Sequence, residues 1–319
     1  MVANYNCAEF LRNALDSVTA QSFKDFECIV VDDASTDKSV DIIKEYVKRD
    51  KRFSLIRHET NRGLSAVRNT GLAAANGEYI AFLDSDDAFV ESALESLYMN
   101  AKMFNADVVG GTSLIVPVNF VFIKSQNPPH FIQQPPMFFI DGNPAAMLAK
   151  LLRSHTSRKL SWVWRRLFKA KIIETIRFNE EVKQQNEDFC FMLDVFLKTN
   201  RYLEINDSIA YHRINKNSIT GSPFSPGHFL HFPATFKHLH NLRGKYPETL
   251  LYKNYMQYFF NAGVIDALRN GYGDQAARTL REVYGTEYMP LKYLTLKQRL
   301  IMWLFMRSLL PAGYRKKKS

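Results

Sequence analysis

The chain has 319 residues, 46% hydrophobic and 23% charged, enough to bury a sizeable core without disulfide staples and the length of one large domain or two modest ones. Its three cysteines, Cys7, Cys28 and Cys190, stand far apart with no CxxC and no pairing pattern, which excludes a secreted disulfide scaffold and fits a reducing cytosol. The formal net charge of +10 admits an anionic substrate or a membrane surface, but the basic residues gather at the C-terminus and not among base-stacking aromatics, against a nucleic-acid module.

The opening MVANYNCAEF lacks a basic stretch followed by an apolar one, so no signal peptide is expected. Residues 8–20, AEFLRNALDSVTA, place Leu11, Leu15 and Val18 on one helical face. A helix entered directly from MVANYN implies a preceding strand, of which the chain holds only part, so the first strand is expected to be truncated. FECIVV (26–31) is an apolar run of strand length ending in Asp32 and Asp33, and DKSVDIIKEYVKRD returns to helical spacing through Val40, Ile43 and Val47. RFSLIR (52–57) is a second strand candidate, a helix is expected from near Ser65 to the Asn76-Gly77 terminator, and EYIAFL (78–83) is the next strand. Apolar strands alternating with helices argue for a parallel α/β sheet covered on both faces.

After Ala88 a helix is expected to run to about Phe104, then a strand in ADVVGGTSLIV. Residues 124–137, rich in Pro and Gln, read as an exposed connection, and Asn143-Pro144 as an N-cap with proline at the first helical position. From about residue 225 the pattern is helical and aromatic, a C-terminal helical subdomain. Its last helix, RLIMWLFMRSLL (299–310), is shorter than the roughly 20 apolar residues that span a bilayer and is interrupted by Arg307. With the tail GYRKKKS it reads as an interfacial helix on an anionic leaflet, the alternative being a core-packed terminal helix with a solvated end.

Two strands end in acid: Asp32-Asp33 after CIVV, and Asp84, Asp86 and Asp87 after IAFL. In open parallel sheets ligands bind at the carboxyl ends of the strands, and carboxylates two residues apart can both reach one hard divalent cation. A calcium EF-hand fails because Phe89 stands where glycine is needed and Ala88 replaces a ligand. The bland alternative is a solvated acid cluster at a helix start.

ANYNCAEFLRNALDSVTAQSFKDFECIVVDDASTD, NRGLSAVRNTGLAAANGEYIAFLDSDD, WRRLFKAKIIETIRFNEEVKQQNEDFCF and YHRINKNSIT together strongly resemble family 2 glycosyltransferases, over roughly residues 3–220. The resemblance implies an α/β GT-A fold, Rossmann-like with a mostly parallel central sheet flanked by helices, and a C-terminal helical extension. It divides the chain into a glycosyltransferase domain over 1–222, with a nucleotide-sugar half (1–115) and an acceptor half (140–222), and a helical region over 223–319 with an amphipathic, basic tail.

The same resemblance assigns roles. Asp33, with Asp32 beside it, would hydrogen-bond the uracil or ribose of a UDP-sugar, and Tyr5 and Arg68 join that nucleotide-sugar set, Arg68 having the alternative of a helix-surface arginine. Asp84 and Asp86 match the DxD acids, the first toward the ribose or a metal-bound water, the second ligating the Mn2+ or Mg2+ that bridges the diphosphate. Asp87 is left to start the next helix. Asp188 matches the catalytic base, with Glu187 as competitor; a single base with in-line attack implies inversion. Trp162 and Trp164 are candidate acceptor contacts or core, and His212 and Arg213 candidates to close over the diphosphate or structural residues. Ala3 and Asn4 depart from the family pattern. The implied function is transfer of a sugar from a UDP-sugar to a glycan or lipid-linked acceptor at the cytoplasmic membrane face, in cell-surface polysaccharide assembly. An inactive sugar-binding paralogue is one alternative. A sugar-nucleotide pyrophosphorylase is another, though residues 1–10 lack its Gly-rich, Arg-containing loop.

Overall fold

A computed structural model describes residues 1–125, 136–142, 162–182, 186–214, 227–243 and 248–307. The N-cap at Asn143-Pro144, most of the 124–137 connection, the Ser218-Ile219-Thr220 end of the YHR segment and the basic tail lie outside the described residues. The chain forms two compact units: Met1–Met147 with Trp162–Phe178 and Phe191–Asn215, and Leu148–Ser161 with Asn179–Cys190 and Lys216–Ser319.

The first unit opens with β1 (Val2–Asn4), α1 (Ala8–Thr19), β2 (Cys28–Asp32), α2 (Ser39–Arg49), β3 (Phe53–Arg57) and α3 (Leu64–Ala74). It continues through β4 (Tyr79–Ala81), β5 (Leu83–Asp84), β6 (Ala88–Phe89), α4 (Ala93–Met103), β7 (Val108–Val116), β8 (Phe138–Asp141), β9 (Arg166–Lys169) and α5 (Ala170–Ile173). Next come α6 (Glu187–Lys198), whose first turn belongs to the second unit, and β10 (Arg201–Arg213).

One sheet is parallel, in the order β3-β2-β1-β5. Every residue of β2 is buried, as the unbroken apolar run requires of a strand covered on both faces. Ile29 and Val31 pack with Val67 of α3, while Cys28 and Val30 pack with Leu11, Leu15 and Ile43 of α1 and α2. Each such side chain contributes about 1.5–3 kcal/mol by leaving water. The expected short first strand is present as the three residues of β1, and it lies inside the sheet: Asn4 pairs with Asp32 on one side and Ala3 with Asp84 on the other. That register brings the two acid-ended strands to one sheet end. α1 has no side-chain cap of its own, and the Asp37 carboxylate accepts the Ala8 amide at 2.9 Å instead.

The second sheet is mixed, in the order β4-β9-β7-β10-β6 with β8 on β10. One expectation is corrected here. EYIAFL is not one strand: β4 pairs with β9, β5 pairs with β1, and Phe82 between them turns into a cluster with Phe168, Phe178 and Phe191. The helix expected after Ala88 is α4, which begins at Ala93 because Ala88 and Phe89 first form β6 against Tyr211 and Ala210. Beneath β7 lies a buried charge cluster, in which Arg165 meets Glu204 at 2.9 Å and Tyr202 donates to the same carboxylate.

The second unit is helical from Gly227, as the pattern beyond residue 225 predicts. It holds α7 (Gly227–Leu230), α8 (Phe232–Asn241), α9 (Glu248–Phe259), a π-helical stretch over Phe260–Ile265, α10 (Asp266–Arg269), α11 (Gly273–Leu280) and α12 (Leu296–Met306). Phe232 and Phe236 meet the Phe259 ring edge-on at 5.0 Å. A Cβ at Gly263 would lie 2.7 Å from Phe232, so the π-helical stretch needs glycine there. No described helix is long and apolar enough to cross a membrane.

Candidate active site

Asp32 and Asp33 end β2 fully buried, and both carboxylates are engaged within the protein. Asp32 accepts Asn4 Nδ2 at 2.8 Å, the Ser35 hydroxyl at 2.5 Å and the Ser35 amide at 3.0 Å. This carboxylate braces the turn after the strand. Asp33 Oδ1 accepts the Arg62 amide at 2.9 Å and lies 2.7 Å from His58 Nδ1; Oδ2 accepts the Gly63 amide at 2.7 Å. A carboxylate has about four lone-pair positions, so Oδ2 retains one for a ligand. His58 Nε2 lies 2.9 Å from Thr70 Oγ1, which ties the end of β3 to α3. Tyr5, half-exposed, follows β1 directly.

Arg68 projects from α3 and is buried, with Nη2 donating to Asp84 Oδ1 at 3.0 Å. The helix-surface alternative for this arginine is therefore wrong. Asp84 ends β5, and the chain turns immediately so that the Asp87 amide donates to the Asp84 carbonyl at 3.1 Å. Asp87 does not start a helix. Its buried carboxylate accepts the Arg213 amide at 2.9 Å and lies 3.1 Å from His212 Nδ1. This contact and the Asp87 charge hold His212 above the ordinary imidazole range. Asp86 differs from its neighbours. Burial first, then the charges of Asp87 and Asp84, push its carboxyl up to about 7. Among the described residues no Lys, Arg or His forms an ion pair with it.

His212 stacks on Trp164 with ring centroids 4.9 Å apart and planes 18° off parallel, and Trp164 stacks on Trp162 at 5.3 Å. Trp164 is buried in the main core, so the core reading holds for it, and Trp162 is the more exposed of the two. The Arg213 guanidinium is buried under Phe10 and donates to the carbonyls of Asp86 at 2.9 Å, Val118 at 2.5 Å and Phe120 at 2.9 Å. It braces the acid turn from beneath; only Nη2 lacks a partner. Asp188 and Glu187 occupy the first turn of α6, half-buried, after Asn186 at φ +68°. Asn186 Nδ2 lies 2.9 Å from His231 Nδ1 within the second unit.

The residues present fit a divalent cation held in part by other ligands. Among the described residues no three His, Cys, Asp or Glu side chains form a metal cage. Asp86 and Asp84 supply two carboxylates, the number magnesium or manganese takes from protein when phosphate oxygens and water complete its shell. Sequence reasoning missed His58, Ser35 and Asn4, which hold the β2 acids, and the anchoring role of Asp87. A polar residue just past a buried strand was the available signal for His58.

Parallel acid-ended strands, a paired Arg68–Asp84 and an unpaired Asp86 define an α/β fold of the GT-A type. S. aureus TarS 1–349 in complex with UDP-GlcNAc shares it, with a TM-score of 0.67 at 19% identity over 99% of this chain and 92% of that one. So does the mannosyltransferase PcManGT from Pyrobaculum calidifontis in complex with GDP-Man and Mn2+, with a TM-score of 0.55 at 15% identity over 99% and 86%. The model of glycosyl transferase family 2 matches residues 1–160. The chain is 32% identical over 228 residues to the uncharacterized glycosyltransferase EpsJ of Bacillus subtilis, covering 71% of this chain and 63% of that protein. It is 31% identical over 223 residues to the glycosyltransferase GlyA of Streptococcus pneumoniae, covering 69% and 31%. The chain thus spans less than two thirds of either relative. It belongs to glycosyl transferase family 2.

Proposed function

We propose that this chain transfers a sugar from a UDP-sugar to a hydroxyl of a glycan or lipid-linked acceptor, with inversion, in cell-surface polysaccharide assembly at the cytoplasmic membrane face. The observation that carries the reading is Asp86, the one acid of the Asp84–Asp87 turn without a cationic partner among the described residues. The UDP-GlcNAc and the GDP-Man with Mn2+ named for the two structural neighbours support a nucleoside diphosphate sugar and a divalent metal.

Asp33 Oδ2 and Asp84 would receive the base and ribose, with Arg68 orienting the Asp84 carboxylate. Asp86, with Asp84, would hold Mn2+ or Mg2+, which when bound offsets negative charge on the departing diphosphate. His212, fixed by Asp87 and Trp164 beside the acid turn, would close over the diphosphate. Trp162 offers an aromatic face to a sugar acceptor. Asp188 takes the proton from the acceptor hydroxyl as that oxygen attacks the anomeric carbon and the bond from that carbon to the diphosphate oxygen breaks. A single base with in-line attack implies inversion.

Titration calorimetry with UDP tests the donor half. UDP should bind the wild-type chain much more tightly with Mn2+ than without it. Asp86→Ala should lose that enhancement, about tenfold or more, while its circular dichroism stays wild-type. Equal, metal-independent affinity in both proteins would sink the reading.

A further inference from the structure

α12 has two apolar faces, and among the described residues only one is buried. Met302 and Phe305 are buried. The helix is firmly built: Thr295 and Gln298 close a capping box, Gln298 Nε2 donates to Gln257 Oε1 at 2.8 Å, and Arg299 donates to the carbonyls of Leu294 and Lys292. On the other face Leu296 is 82% exposed, Leu300 57% and Trp303 39%. Their i, i+4, i+7 spacing draws one stripe along the helix. Among the described residues of the second unit these are three of the four exposed large apolar side chains, Leu230 being the other. Fraying does not explain a stripe on a helix anchored this way.

The charge around it is one-signed. Arg307 continues the stripe by one turn and lays its guanidinium 4.2 Å over the Trp303 ring, while Lys297 stands exposed beside Leu296. After Glu287 the sequence contains no acid and eight Lys or Arg, four of them in the RKKK of the tail, so this last tenth of the chain carries eight of the ten net positive charges. Leucines flanked by long cationic side chains and a tryptophan match the boundary between lipid headgroups and acyl chains.

We propose that the Leu296–Leu300–Trp303 face of α12 docks on an anionic lipid bilayer, with Lys297 and Arg307 over the headgroups and the net charge of the RKKK sequence adding to the attraction. The inference deepens the membrane-side reading given above, and its test needs no turnover. Apolar insertion supplies the part of the binding that resists salt. Each cation near an anionic leaflet adds about fivefold in affinity, lost as salt screens it.

The full chain would be sedimented with vesicles of phosphatidylcholine alone or with about one third phosphatidylglycerol. Binding should appear on the anionic vesicles and fall at high salt. The double variant Leu300→Glu, Trp303→Glu should bind them about tenfold or more weakly. Replacing the four tail cations by Gln should remove most of the salt dependence. Both variants should keep wild-type UDP affinity, so a failure here is separable from a failure of the transfer reading. Equal binding to neutral vesicles, undiminished binding by the double variant, or a dimer in solution that this variant dissociates would each overturn the proposal.

Discussion

Gly63 donates its amide to Asp33 from a backbone at φ +89°, ψ 164°, a region essentially closed to residues with a Cβ. Nothing crowds the site where a Cβ would stand, so the requirement is conformational and not steric. Gly63→Ala should lower unfolding free energy by about 1–3 kcal/mol in urea denaturation and weaken UDP binding, because the Asp33 carboxylate loses a fixed partner. Unchanged stability would mean the 58–63 turn does not hold Asp33. The acid turn was legible at this scale because Asp84 and Asp86 stand two residues apart at the end of an apolar run. Asp87 was not. Its role depends on His212 and Arg213, more than a hundred residues away, and a neighbouring acid at a strand end reads locally as a helix start.

Among the elements, β2 was readable because its apolar run is of strand length and rich in β-branched residues, which arbitrate between strand and buried helix. EYIAFL looked like one more such run, yet tertiary pairing divides it between two sheets at Phe82. The sequence signal for a strand does not say which partner it takes. β7 shows the converse, where packing imposes residue choice. A Cβ on Gly110 would fall on the Glu204 carboxylate and within 2.9 Å of the Tyr202 hydroxyl. Gly110→Ala should therefore cost about 1–3 kcal/mol in denaturant unfolding, since it pushes apart a buried ion pair. A variant as stable as wild type would show that the cluster can move aside.

For the whole molecule, order and spacing of motifs carried the fold class and the family, while the residues that stiffen the site came only with the structure. Arg213, read as closing over the diphosphate or as structural, braces the acid turn, and Trp164, read as acceptor contact or core, is buried in the core. Both follow from burial, which a local motif does not encode. Charge is divided as unevenly as chemistry. Acids gather at the strand ends of the first unit and cations in the last tenth of the chain.

The central claim is metal-assisted transfer with Asp188 as base. It is met most directly by UDP release from a panel of UDP-sugars with Mn2+ and a glycan acceptor, comparing wild type with Asp188→Asn. The account predicts turnover of at least one donor by wild type and a rate about 100-fold or more lower in Asp188→Asn, with UDP affinity retained. Turnover by Asp188→Asn at the wild-type rate would contradict it, as would failure of every donor.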